Sequence, residues 1–231
     1  MNKIILMVLV ATSVLSSYAQ TIKWEGKEFE ISNVKVSVVS LNGEKVLKVE
    51  RDLGRLPFDV NNLSATVDEP TFVKLRNLKI DNGVVEVRVL SRIQNPSPFA
   101  SAQGFIGIAF RVNEDNTAFE SIYLRPKVGR SENQFARNHT VQYYAYPNYK
   151  FDRLRKESNG EFETYANVGL DEWITMRIEF KGKKATLYLN NQKYPSFIVN
   201  EMKGNTESGS IALWVDIGTE GYFKDLKVKR Y

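Results

Sequence analysis

Between Arg125 and Lys156 the chain gathers the side chains best suited to chemistry. Eight basic residues (Arg125, Lys127, Arg130, Arg137, Lys150, Arg153, Arg155 and Lys156) stand against two acidic ones, Glu132 and Asp152, a local excess of six positive charges. Interleaved with them are Phe135, Tyr143, Tyr144, Tyr146, Tyr149 and Phe151, the amides Asn133, Gln134, Asn138 and Gln142, and the single histidine, His139. Guanidinium forks grip carboxylate or sulfate groups at two points. Tyrosine rings pack on the C–H faces of sugars and offer a hydroxyl beside them. An imidazole titrates near neutrality and serves as a base or a ligand. The expected substrate-binding set is therefore Arg125, Arg137, Asn138, His139, Gln142, Tyr143 and Arg155. Plainer roles compete: the arginines as ion-pair partners of Glu120, Glu157 or Glu163, and one of Tyr143 and Tyr144 as core, because neighbours on a strand point to opposite faces.

Hydrolysis of a glycosidic bond uses two carboxyl groups, about 5 Å apart when configuration is retained and roughly 6.5 to 9.5 Å apart when it is inverted. Glu120, Asp152, Glu157, Glu161, Glu163, Asp216 and Glu220 lie near the basic segment or in the later part of the chain. Glu120 and Glu157, with His139, are the catalytic candidates, and spacing alone pairs no two of them. A structural calcium ion is the one cofactor that the carboxylates suggest. Asp216 with Glu220 would supply its carboxylates, with Asn113-Glu114-Asp115-Asn116 as a second candidate loop. Cysteine is absent, which removes disulfides, thiolate metal sites and a cysteine nucleophile. One histidine excludes His-rich zinc sites. The basic aromatic segment also suits nucleic acid, but no nucleic-acid motif accompanies it, so that partner is not expected.

Elements must hold these residues in place, and the pattern of the 231-residue chain is that of strands. Met1-Asn2-Lys3, an apolar run from Ile4 to Leu15 and the small residues Ser17 and Ala19 read as a signal peptide cleaved after residue 19. The run is too short to span a bilayer. An exported protein, periplasmic or extracellular, with no lipid-bearing cysteine and no stable membrane insertion is expected, and residues 20–231 form one domain. Without residues 1–19 the chain carries 31 basic and 27 acidic side chains, a modest excess of four. Asn42-Gly43 and Asp81-Asn82-Gly83 read as hairpin turns, the second joining a strand over Phe72–Ile80 to one over Val84–Val89. Alternation in Val85-Glu86-Val87-Arg88-Val89 puts one face inward and one in water. Further short strands follow to Lys229, with no amphipathic helix of ten residues. An all-β, two-sheet antiparallel jelly-roll sandwich follows, its long polar aromatic loop the natural place for recognition.

Three stretches carry a likeness to a known family: Phe119-Glu120-Ser121-Ile122-Tyr123-Leu124-Arg125-Pro126, Arg137-Asn138-His139-Thr140-Val141-Gln142-Tyr143, and Leu154-Arg155-Lys156-Glu157-Ser158. It continues through Trp173, Lys183–Asn190, Ile211–Val215 and Tyr222-Phe223. From about Gly104 to Val228 the chain resembles exported bacterial proteins of the concanavalin A-like lectin/glucanase superfamily, near the domain family of unknown function 1080, commonly called glycosyl hydrolases or 3-keto-disaccharide hydrolases. The resemblance implies a curved jelly roll that binds sugar on its concave face or rim loops. The Glu-x-Asp-x-x-Glu pattern of the retaining β-glucanases on this fold is missing. Two functions stay open: a glycoside hydrolase acting on an oligosaccharide or glycoside, and a non-catalytic, lectin-like sugar-binding module. The oligomeric state is open as well.

Overall fold

The computed structural model describes residues 20–231, so the expected signal peptide lies outside the described residues. Two antiparallel sheets face each other. The first runs in the order Thr21–Trp24 (β1), Lys27–Ser32 (β2), Phe72–Leu75 (β5), Ser210–Val215 (β14), Ile106–Val112 (β7), Phe119–Leu124 (β8), Val141–Tyr146 (β9) and Glu163–Thr164 (β10). The second runs Phe197–Val199 (β13), Lys184–Leu189 (β12), Ile174–Lys181 (β11), Gly83–Ile93 (β6), Thr219–Arg230 (β15), Glu44–Arg51 (β4) and Val34–Leu41 (β3). This is the all-β jelly-roll sandwich that the alternation predicts. Val85, Val87 and Val89 are fully buried, as are Ile174, Met176 and Ile178. Across the interior Phe110 stacks on Phe180, with ring centroids 4.9 Å apart. The helices are short: α1 over Leu63–Thr66, α2 over Gln134–Asn138 and α3 over Phe151–Glu157. Among the described residues no helix is long and apolar enough to cross a membrane.

The Asn42-Gly43 hairpin forms as its turn chemistry dictates, with both residues at positive φ and β3 and β4 in register from Val34↔Arg51 to Leu41↔Glu44. The second expected hairpin does not form. Its first strand ends at Leu75, and Asn77 takes a left-handed φ of 57° that turns the chain out of the eight-stranded sheet. Ile80 then bridges Gly209, and β6 begins at Gly83 in the other sheet.

One face of the eight-stranded sheet is an aromatic floor. Phe72, Trp214, Tyr123, Tyr144 and Phe119 share it, with Tyr123 4.9 Å and Tyr144 5.6 Å from Trp214 between ring centroids. Gly107 lies between Trp214 and Tyr123 in the ladder, and a Cβ there would sit 2.5 Å from Tyr123 Cβ. Its glycine is what lets the two rings meet over the strand that separates them. The floor is covered by the segment between β4 and β5, which carries α1, and by the loop leading into β7, where Phe58 and Phe99 pack 5.1 Å apart. The far end of the floor opens into a cavity.

Candidate functional site

The cavity holds about 270 Å³, near the lower end of small-molecule sites, which run from roughly 300 to 1,000 Å³. Its polar wall is Asp68, Asp216, Arg125, Arg155, His139 and Tyr123, and its apolar wall is dominated by Phe99, Phe105, Phe135 and Phe151. Asp216 follows β14 on the same face as Trp214, and Arg125 follows β8 on the same face as Tyr123. Both therefore project at the end of the aromatic floor.

Asp68 and Asp216 are side by side and differently held. Asp216 Oδ1 accepts from Arg51 Nη1 at 2.8 Å and from its neighbour Ile217 N at 2.7 Å, while Oδ2 accepts from Asp68 N at 2.9 Å. Both oxygens are occupied. The Asp68 carboxylate is 2% exposed overall and accepts from Phe151 N through Oδ2 at 3.0 Å. Among the described residues its Oδ1 has no hydrogen-bond donor. Burial pushes the Asp68 carboxyl up to about 7, the Phe151 N–H opposes this, and the Asp216 charge adds to it. Burial also raises Asp216, against the pull of Arg51 and two backbone N–H groups.

Arg51 explains how Asp68 reaches the cavity. From the end of β4 its guanidinium donates to Leu56 O, Pro57 O and Thr66 O as well as to Asp216. These bonds tie the segment carrying α1 to the end of β14. Asp68, just beyond α1, has a left-handed φ of 57°, a conformation that Asp tolerates better than most residues. Tyr146 and Lys150 both donate to the Glu69 carboxylate, which fastens the start of α3 to the same turn.

Glu163 is the hub of the basic wall. It lies beside Gln142 in the β9–β10 ladder, and its Oε1 takes Arg125 Nη1 at 3.2 Å and Arg155 Nη2 at 2.5 Å. Arg155 Nε spans both Glu163 oxygens at 2.9 Å. Burial pushes the Glu163 carboxyl up, but the Arg155 hydrogen bonds and the charges of Arg125 and Arg155 outweigh it, and the net value is lowered. His139 Nδ1 lies 2.7 Å from Glu163 Oε2, but neither ring nitrogen makes a well-directed hydrogen bond. Burial lowers the His139 value, Glu163 opposes this, and the two arginines reinforce it. The imidazole is therefore neutral near pH 7. Arg125 donates to His139 O, Tyr123 OH, Gln142 Oε1 and Glu163, so four of its five N–H groups are engaged inside the protein.

Of the residues expected to bind substrate, Arg125, His139 and Arg155 line the cavity. Gln142 is buried behind Arg125 and donates to Tyr143 O and Phe162 O. Arg137 turns aside to the Tyr165 ring, 4.7 Å away, and donates to its hydroxyl. Asn138 accepts from Gln134 on the exposed side of α2. Tyr143 points between the sheets and donates to Glu120 Oε2 at 2.5 Å, while Tyr144 points to the aromatic floor, the opposition that strand alternation requires. Glu120, fully buried there with burial pushing it to about 7, is remote from the cavity lining, and Glu157 is an exposed partner of Arg153. Asp216 lines the cavity, whereas Glu220 bonds Lys48 and Tyr222 on the other sheet. Among the described residues no group of three or more acidic or histidine side chains is arranged to hold a metal ion. Asp68 and Phe99 escaped the sequence reading. Val67-Asp68-Glu69-Pro70 matches no motif, and only the Arg51 network brings it to the site.

The carbohydrate-binding module CBM66 of Bacillus subtilis superposes with a TM-score of 0.51 at 9% identity, covering 86% of this chain and 96% of that one. A β-glucanase of Bacillus licheniformis gives a TM-score of 0.46 at 10% identity, covering 95% of each chain. No curated protein matches the sequence. The model of the 3-keto-α-glucoside-1,2-lyase-like domain matches residues 99–229, which include Arg125, His139, Glu163, Arg155 and Asp216 of the cavity and its surroundings, and the chain belongs to that family.

Proposed function

We propose that this chain is an exported enzyme that cleaves 3-keto-α-glycosides, with Asp68 as the base. The observation that carries the proposal is the Asp68 carboxylate: buried, held through one oxygen, free at the other, facing the cavity and balanced near pH 7. A ketone at C3 of a glucoside makes the C2–H acidic. Asp68 takes that proton, the electron pair left behind forms the C1–C2 double bond, and the C1–O bond breaks. The departing oxygen leaves with the bond electrons and is protonated by water. The products are an enone that keeps its C2 hydroxyl and a free alcohol. Water added across the double bond then yields the 3-keto sugar, so elimination and net hydrolysis share one first step.

Direct displacement by two carboxylates is a poorer reading, because both Asp216 oxygens are already taken by Arg51, Asp68 N and Ile217 N. Arg155 keeps Nη1 unengaged among the described residues and stands at the cavity wall, where it would stabilise charge growing on the ketone oxygen.

Incubating the purified protein with 3-keto-α-glucosides and with the unoxidised parents, followed by ultraviolet absorbance of the enone and mass spectrometry, tests the reading. Turnover of the keto compounds alone supports it. Cleavage of unoxidised glucosides would refute the elimination, and binding without turnover would make the chain a sugar-binding module. Export by way of residues 1–19, to the periplasm or beyond the cell, belongs to the same proposal. Its check is whether the amino terminus of the recovered protein is Gln20.

A further inference from the structure

We infer that the leaving group for which this site is built is an aromatic alcohol, so that the preferred substrates are 3-keto aryl glycosides rather than 3-keto disaccharides. The inference rests on the elimination reading above and names the substrate class of the same site. Four rings from three parts of the chain meet at the cavity: Phe99 and Phe105 from the loop entering β7, Phe135 from α2 and Phe151 from α3. Phe135 is 73% exposed at the rim, with the His139 ring edge-on to it at 4.5 Å. An aromatic ring left open to water at a cavity mouth is a surface awaiting an apolar or planar partner.

The polar wall leaves little for a second sugar. Arg125 has four N–H groups engaged, Arg155 directs Nε and Nη2 to Glu163, and both Asp216 oxygens already accept, which leaves Arg155 Nη1, Ser101 and Gln103 as the lining donors without a partner among the described residues. Hydroxyl groups of a second sugar packed against Phe99 and Phe151 would lose water where those two rings offer no hydrogen bond. An aryl ring loses nothing of that kind.

Leaving-group chemistry points the same way. Among the cavity carboxyls only Asp68 is free to move a proton, and in the elimination it is the base. A phenol, with a pKa of about 10, departs readily as its anion. A sugar alkoxide is more basic than a phenolate and gains more from an acid that accompanies it.

The test compares 3-keto phenyl α-glucoside with 3-keto α,α-trehalose on the wild-type protein and on Phe135→Ala, whose exposed side chain can be removed without disturbing the core. We expect at least about tenfold higher kcat/KM for the phenyl compound. Phe135→Ala should lower it about three- to tenfold, as the loss of one aromatic contact implies, with less than a twofold effect on the disaccharide. Equal or better turnover of the disaccharide, or equal losses on both compounds, would overturn the inference. If neither compound turns over, the elimination reading fails and affinity decides the leaving-group question. Tighter binding of the phenyl compound that weakens in Phe135→Ala upholds the aromatic subsite, and equal or undetectable binding rejects it.

Discussion

Replacing Asp68 with asparagine should make the protein more stable in alkaline solution while it abolishes the proposed elimination, and the size of the gain follows from the burial of the carboxyl. In the folded chain Asp68 protonates at about 7, against an ordinary value of 3.8. Between those two values the folded protein holds a proton that the unfolded chain has released, so unfolding free energy falls as pH rises from about 4 to about 7 and levels off above. At about 1.4 kcal/mol per pH unit, that interval bounds the charge penalty at about 4 kcal/mol. The amide introduced by Asp68→Asn keeps an oxygen for the Phe151 N–H and carries no charge, so this part of the slope disappears. Urea unfolding of both proteins at pH 4, 5.5 and 8 is the assay. The two should coincide near pH 4, and the variant should be ahead by up to about 4 kcal/mol at pH 8. Glu120 is raised in the same sense in both proteins and drops out of the difference between the curves, which reports Asp68 together with its coupling to Asp216. In parallel, kcat should fall by about 10²- to 10⁴-fold, the usual yield of a positioned base. Parallel stability curves, or a variant less stable at every pH, would refute the account of Asp68 as a carboxylate held against its own charge.

Turnover of a 3-keto-glycoside should rise with pH and reach a plateau above a midpoint near 7 in kcat/KM, because the base works only when deprotonated; a flat or falling profile between pH 5 and 8 would count against Asp68. Arg51→Met should cost about 3 to 5 kcal/mol in urea unfolding, since it strands the buried Asp216 charge, and it should expose the chain between β4 and β5 to proteases; a loss under about 1 kcal/mol would mean that the Arg51–Asp216 pair is not the clamp.

Those predictions lean on contacts that the sequence displays unevenly. Strand alternation and the Asn42-Gly43 turn are local properties, and they predict the sandwich and its first hairpin correctly. Asp81-Asn82-Gly83 offers the same turn chemistry, yet the chain crosses between sheets there, because Asn77 turns left-handed and Ile80 pairs with Gly209, more than a hundred residues away. At the site the basic segment supplies Arg125, His139 and Arg155 together, since β8, α2, β9 and α3 are consecutive and their spacing is short. Within that segment charge and aromaticity do not say which way a side chain turns. Arg137 ends on Tyr165, and Tyr143 ends between the sheets on Glu120, as strand parity permits for one of two adjacent tyrosines. Asp68 lies 57 residues before Arg125, in a stretch with no motif, and its place depends on one arginine gathering three carbonyl groups and one carboxylate.

The chemistry of the site comes from unequal treatment of equal groups. Asp68, Asp216 and Glu163 are three buried carboxyls around one cavity. Glu163 sits among two guanidinium groups and an imidazole and stays ionised, so it works as an anchor. Asp216 has a cation and two backbone N–H groups on its two oxygens, which makes it a brace between β4, β14 and the turn at Asp68. Only Asp68 is left with a single donor, and the Asp216 charge next to it makes its own ionisation harder still. A group in that position binds and releases a proton close to neutral pH, because its neighbours have taken every stronger partner for themselves. The basic wall that dominates the sequence is thus chiefly the scaffold that fixes Glu163, Arg125 and the start of α3. The proton-transfer group of the proposed elimination is an acidic residue from another part of the chain, held where that scaffold leaves one oxygen uncovered.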